Sequence, residues 1–205
     1  MLKNSLLFNP NGRGSHPVTM KIMECSEGIY KIFYSSDFFE IVNEKIFTEN
    51  YAQFILWLEK EIDSFLVQLN LKKTDIVVLR IHPQQLFYSE TLVFLENYKK
   101  INSFFYITLS EVEISPPFFK SHLTTSELNA FILGKLAQIR NFGYKIFLDN
   151  IGHGRNHIGN AVYYLPVISG VCFYSSKFKR SNTQKIFSLA WREFSREYNK
   201  VFVSF

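Results

Sequence analysis

The chain has 205 residues, 47% of them apolar and 20% charged, with a formal charge of +5. That balance is too hydrophobic and too weakly charged for intrinsic disorder, and the apolar runs fall far short of the roughly 20 residues that cross a bilayer. Met1 to Pro10 contains no extended apolar region and no small-residue cleavage site, so a cytoplasmic protein with a single domain over residues 1–205 is expected.

In chain order, Tyr51, Phe54, Ile55, Leu58, Ile62, Phe65, Leu66 and Leu69 follow a three-four spacing that predicts an amphipathic helix, with Glu59, Lys60, Glu61 and Asp63 turned away. Ile76-Val77-Val78-Leu79 is a short β-branched run that predicts a strand buried on both faces. Phe104 to Leu109 predicts a second strand and Tyr144 to Leu148 a third, the latter entered from a helix carrying Leu128, Phe131, Ile132, Leu136 and Ile139 that stops at Gly143. Gly170 to Phe173 predicts a fourth strand, Thr183 to Tyr198 a final helix, and Lys200 to Val203 a last strand. Strands alternating with helices imply parallel βαβ units, in either an open doubly wound sheet or a (β/α) barrel. The chain is short for a full barrel, which takes about 250 residues.

Few residue clusters point to chemistry. Cys25 and Cys172 have no CxxC partner, and a disulfide framework or metal site is not expected from them. His153 and His157 stand four apart, a spacing that suits zinc on a helix face, but no third ligand is near and Gly154 and Gly159 oppose a regular helix. Lys177, Lys179, Arg180 and Lys185 form the nearest thing to a basic cluster and read as a solvated loop and helix start rather than a DNA-binding patch. The 22 Phe and 11 Tyr are more notable, because rings that stay outside the core mark contact surfaces.

The segment Leu133 to Gly154 then gives a family resemblance. Its Gly143-Tyr144-Lys145-Ile146-Phe147-Leu148-Asp149-Asn150-Ile151-Gly152-His153-Gly154 resembles the helix, glycine and strand of EAL domains, which end in Asp-Asp-Phe-Gly-Thr-Gly. Tyr163 to Val167 is similar to the family's Leu-Pro turn, His82-Pro83-Gln84-Gln85-Leu86 to its Asn-Leu-Ser-Pro-Arg-Gln-Leu stretch, and Tyr106 to Ser110 to its Glu-Ile-Thr-Glu-Ser. Phe8-Asn9-Pro10 resembles the Phe-Gln-Pro opening, and Val18 to Met23 falls where the Glu-Ala-Leu signature would. The resemblance implies an α/β fold, an incomplete TIM-like (β/α) barrel of the EAL type, truncated at its C-terminus.

Enzymes of that family hydrolyse cyclic-di-GMP with two divalent metals held by oxygen ligands. Carried over by resemblance, the signature glutamate corresponds to Lys21, the ligand asparagine to Arg80, the Ile-Thr-Glu glutamate to Leu109, and the aspartate pair to Asp149 and Asn150. Glu24 and Glu27 are the other acids near the signature position. One carboxylate cannot hold two dications, so no catalytic residue, metal or cofactor is expected and the chain reads as a dead enzyme.

Short degenerate EAL-like proteins resemble the enterobacterial repressors that bind FlhD of the FlhD/FlhC flagellar master regulator. The resemblance implies an anti-activator that binds FlhD, blocks its DNA binding and represses motility, with neither cyclic-di-GMP nor DNA nor membrane as a partner. Phe38, Phe39, Phe87, Tyr88, Phe118, Phe119, Trp191, Phe194 and Tyr198 are the candidate aromatic contacts. The alternative is an inactive module that still binds cyclic-di-GMP.

Overall fold

A computed structural model describes residues 3–8, 18–34, 50–68, 72, 74–112, 124–175 and 181–205. Among them, one sheet holds eight strands in sequence order: β1 (Lys3–Phe8), β2 (Val18–Ser26), β3 (Ile29–Tyr34), β4 (Ile76–Ile81), β5 (Phe105–Leu109), β6 (Ile146–Leu148), β7 (Gly170–Phe173) and β8 (Val201–Ser204). β2 pairs antiparallel with β1 and β3. Every later pair, from β3–β4 to β7–β8, is parallel. A parallel pair needs a crossover, and α1 (Tyr51–Gln68), α2 (Ser89–Asn97), α3 (Thr125–Asn141), α4 (Ile158–Tyr164) and α5 (Ser181–Glu197) supply one each.

The sheet curls. Three strand spacings of a flat sheet separate β3 from β6 by about 14 Å, beyond the reach of a lysine stem of about four carbons. Yet Lys31 of β3 touches Asp149, which follows β6, at 2.6 Å. Curvature brings these strands around a common interior, while β1 and β8 remain unpaired to each other, so the described strands form a partial barrel.

The core lies between the outer face of the sheet and the helices. Val77, Leu79 and Ile81 of β4, Phe105, Ile107 and Leu109 of β5, and Ile146 and Leu148 of β6 pack there against Phe54, Leu58 and Ile62 of α1 and Ile132, Leu136 and Ile139 of α3. The α1 stripe is the one its three-four spacing predicts, with Leu69 outside the described residues. α3 begins three residues before Leu128 because Thr124 caps it: the Thr124 hydroxyl accepts from the Glu127 N–H at 3.3 Å while the Glu127 carboxylate accepts from the Thr124 N–H at 2.7 Å. The helix stops before Gly143, whose φ of +93° suits glycine.

One expectation is corrected. β4 alternates half-buried and buried residues instead of being buried on both faces. Its inner residues Ile76 and Val78 look onto an interior that the described side chains do not fill, a cavity of about 260 Å³. Four further elements, β1, the β2–β3 hairpin, α2 and α4, have no counterpart among the expected elements; the hairpin turns at Gly28, where φ is +72°.

Candidate functional site

Parallel barrels present their chemistry where the strands end, and the charged residues of this chain converge there. Arg80 projects from the inner face of β4, Glu111 follows β5, Asp149 and Asn150 follow β6, and Tyr174 follows β7. Lys31 reaches them from β3 and is only 2% exposed.

Backbone hydrogen bonds fix the loop after β6. The Asp149 N–H donates to the Leu109 carbonyl at 2.8 Å, the Gly152 N–H to the Asn156 carbonyl at 2.8 Å, and the Arg155 N–H to the Glu111 carbonyl at 2.8 Å. The buried Asn156 amide donates to the Leu109 carbonyl at 2.9 Å. Asn150 takes a left-handed φ of +46°, a conformation asparagine tolerates better than most residues. Gly154 comes so close to Glu111 that a Cβ would lie 2.1 Å from its carbonyl oxygen. The loop and the Glu111 backbone therefore hold each other in place.

Every oxygen of the two carboxylates meets a donor group of the protein. Asp149 Oδ1 meets Lys31 Nζ at 2.6 Å and accepts from the Tyr174 hydroxyl at 2.9 Å, while its Oδ2 meets Arg80 Nε at 2.8 Å. Glu111 Oε2 pairs with Arg80 Nη2 at 2.6 Å, and its Oε1 accepts from the Asn150 amide at 2.8 Å. Lys31 also donates to the Tyr174 hydroxyl, and Tyr174 stacks on Phe205 with centroids 5.1 Å apart. Burial, and next the charge of Asp149, raise the Tyr174 phenol, so it stays neutral and donates. Two acids thus face two cations in a cluster that needs no added charge.

A divalent ion would compete for the same oxygens. At a separation of about 4 Å, like charges repel by about 4 kcal/mol per unit charge at an effective dielectric of 20. Among the described residues, no group of three or more His, Cys, Asp and Glu is arranged to hold a metal ion.

Arg80, Asp149 and Asn150 are brought together as the sequence comparison arranged them; Leu109 and Lys21 are not part of the cluster as described. Leu109 points to the helix layer, 2% exposed in the core, and Glu111 two residues on supplies the acid at the end of β5. Lys21 pairs with Asn4 and Phe33 on β2, its side chain outside the described set, and the lysine at Asp149 is Lys31, ten residues on and across the hairpin. A lone lysine inside Ile29-Tyr30-Lys31-Ile32-Phe33 and an acid just past a strand end were the signals available for these two positions.

His82 and His157 serve the backbone, whereas His153 precedes the 3₁₀ turn Gly154–Asn156 without a side-chain cap bond. His82 Nδ1 accepts from the Gln84 N–H at 3.0 Å and caps the 3₁₀ turn Pro83–Phe87. Burial lowers its imidazole to about 3, with the Arg80 and Arg155 charges adding to the effect. His157 Nδ1 accepts from the Gly159 N–H at 3.2 Å and caps α4. The Cys172 thiol is held protonated by burial.

Of the candidate aromatic contacts, Phe38, Phe39, Phe118 and Phe119 lie outside the described residues, as do Lys177, Lys179 and Arg180. Trp191 is corrected from surface to core: it is 6% exposed and packs edge-on against Phe194 at 5.2 Å. Phe87 stacks on Phe131 at 4.2 Å and Tyr88 on Tyr51 at 3.8 Å, each partly covered by its partner. Tyr198 is exposed and leans on Phe194. α5 exposes Ile186 at 66%, Leu189 at 59% and Phe187 at 42%; the two aliphatic residues were missed because only the aromatic stripe of that helix was followed.

No family profile and no curated protein matches the chain. Solved structures do. The EAL enzyme Bd1971, in its cAMP- and cyclic-di-GMP-bound form, is similar at 16% identity with a TM-score of 0.61, over 86% of this chain and 50% of that one. The PaMucR phosphodiesterase in complex with c-di-GMP is similar at 11% identity with a TM-score of 0.59, over 86% of this chain and 76% of that one. The Bacillus subtilis YkuI protein, which has an EAL domain and was solved with c-di-GMP and calcium, is similar at 14% identity with a TM-score of 0.59, over 91% and 42% of the two chains. The chain thus has an EAL-domain-like fold and spans about half the length of Bd1971. None of the described helices is long and apolar enough to cross a membrane.

Proposed function

We propose that this chain is an EAL-like domain without phosphodiesterase activity that acts in the cytoplasm by binding another protein. The observation that carries the reading is the pairing of the Asp149 and Glu111 carboxylates with cations of the chain: Lys31 and Arg80 stand within 2.6 to 2.8 Å of these oxygens, where a metal-dependent hydrolase needs its ions. A domain whose ligand oxygens are satisfied internally keeps its fold and offers its surface.

The resemblance to short EAL-like flagellar repressors names FlhD of FlhD/FlhC as the partner, with loss of promoter binding and repression of motility as the outcome. The exposed Ile186 and Leu189 of α5 are the apolar contacts that support a surface there. The test is capture of purified FlhD by the purified chain, followed by promoter binding of FlhD/FlhC in its presence. Capture that is lost in the double variant Ile186→Asp, Leu189→Asp supports the reading. Promoter binding undisturbed by an excess of the chain counts against it.

A second reading, an inactive cyclic-di-GMP sensor, draws support from the fold neighbours solved with that nucleotide. Titration calorimetry separates the two: micromolar binding of cyclic-di-GMP favours the sensor, and its absence favours the adaptor.

A further inference from the structure

The interior of a TIM barrel is ordinarily a packed core. Here the interior holds a cavity of about 260 Å³. Its walls are apolar side chains from the inner faces of the strands, among them Ile76, Val78, Phe147 and Val203. At the strand C-terminal end the buried Lys31–Asp149 pair and the Tyr174–Phe205 stack close it. At the opposite end stands Lys145, the residue before β6, which lines the cavity and is itself exposed. Its Nζ donates to the hydroxyl of Tyr106 at 2.9 Å and sits 4.9 Å from that ring.

We infer that this cavity binds a medium-chain aliphatic carboxylate, the chain inside the barrel and the carboxylate at Lys145. The charge at the mouth selects an anion, and the walls, mostly apolar with Thr108 as a buried polar exception, select a hydrocarbon, because a stable water needs about two to four polar partners. The volume sets the length. An engineered apolar cavity of about 150 Å³ holds benzene, with six carbons, so about 260 Å³ corresponds to roughly ten carbons in proportion. The Lys145 mouth lies at the end of the barrel away from the Asp149 cluster, and the inference does not rest on the proposed function.

The test is calorimetric titration of the full chain with saturated carboxylates from hexanoate to tetradecanoate, each below its micelle concentration, with decanol as the uncharged comparison. Affinity is expected to rise about fourfold per added methylene up to about ten carbons and then to level off. Lys145→Ala should weaken decanoate several-fold and leave decanol unchanged. Val78→Phe, which fills the cavity, should abolish binding of both; if it does not fold, the chain-length series on the native protein decides alone. Absence of saturable decanoate binding, affinity that rises without levelling, or equal effects of Lys145→Ala on acid and alcohol would each overturn the assignment.

Discussion

Replacing Asp149 by Asn keeps the shape of the cluster and removes its central charge. Lys31, 2% exposed, then loses the carboxylate at 2.6 Å, and Arg80 loses the one at 2.8 Å while keeping Glu111 at 2.6 Å. Removing one member of a buried ion pair strands the other's charge and costs about 3–5 kcal/mol. Lys31→Met is expected to cost less, about 2–3 kcal/mol, because Asp149 retains Arg80 and the Tyr174 hydroxyl. The two effects should not add: Asp149→Asn removes the carboxylate that Lys31→Met would strand, giving a coupling of about 1.5–3 kcal/mol. Urea denaturation measures this directly. With a slope near 2.5 kcal/mol per molar, Asp149→Asn should lower the midpoint by about 1.2–2 M. A change under about 0.5 kcal/mol in both single variants, with additive effects in the double variant, would refute an internally neutralised cluster.

Three other outcomes follow from the structure. The His82 imidazole, at about 3 in the fold against about 6.5 unfolded, takes up its proton mainly in the unfolded chain between those values. Its contribution is therefore whole above pH 6.5 and is lost as pH falls, by up to about 1.4 kcal/mol per unit; His82→Asn, which can still cap the turn, should flatten that part of the stability–pH curve. Gly170→Ala should destabilise by about 2 kcal/mol or more in thermal or urea melts, since its Cβ would lie 2.4 Å from the Val201 carbonyl oxygen and 2.6 Å from the Phe147 ring. Trp191→Ala should cost about 3–5 kcal/mol, whereas Ile186→Asp, at an exposed position, should leave the melting midpoint nearly unchanged while weakening partner capture.

The parts of the fold legible in the sequence are those with strong local periodicity. Tyr51 to Phe65 specify one helix face, and Phe104 to Leu109, Tyr144 to Leu148 and Gly170 to Phe173 specify strands whose neighbours are set by parallel crossovers. α2 and α4, nine and seven residues long, are too short for a stripe to stand out. The β2–β3 hairpin depends on a register that alternation alone leaves free by two-residue steps. At the site, Arg80, Asp149 and Asn150 were reached through the resemblance of the Gly143 to Gly154 and His82 to Leu86 segments to EAL motifs. Lys31 and Glu111 required the curvature of the sheet, which joins β3 to the end of β6 across the interior, and no local pattern encodes that contact.

The central claim is that Lys31 and Arg80 occupy the Asp149 and Glu111 oxygens that metal ions would need. Its most direct test is cyclic-di-GMP hydrolysis by the purified chain in excess manganese. The cluster geometry predicts no turnover above buffer and no difference between the native chain and Asp149→Ala. Manganese-dependent hydrolysis that disappears in Asp149→Ala would contradict it.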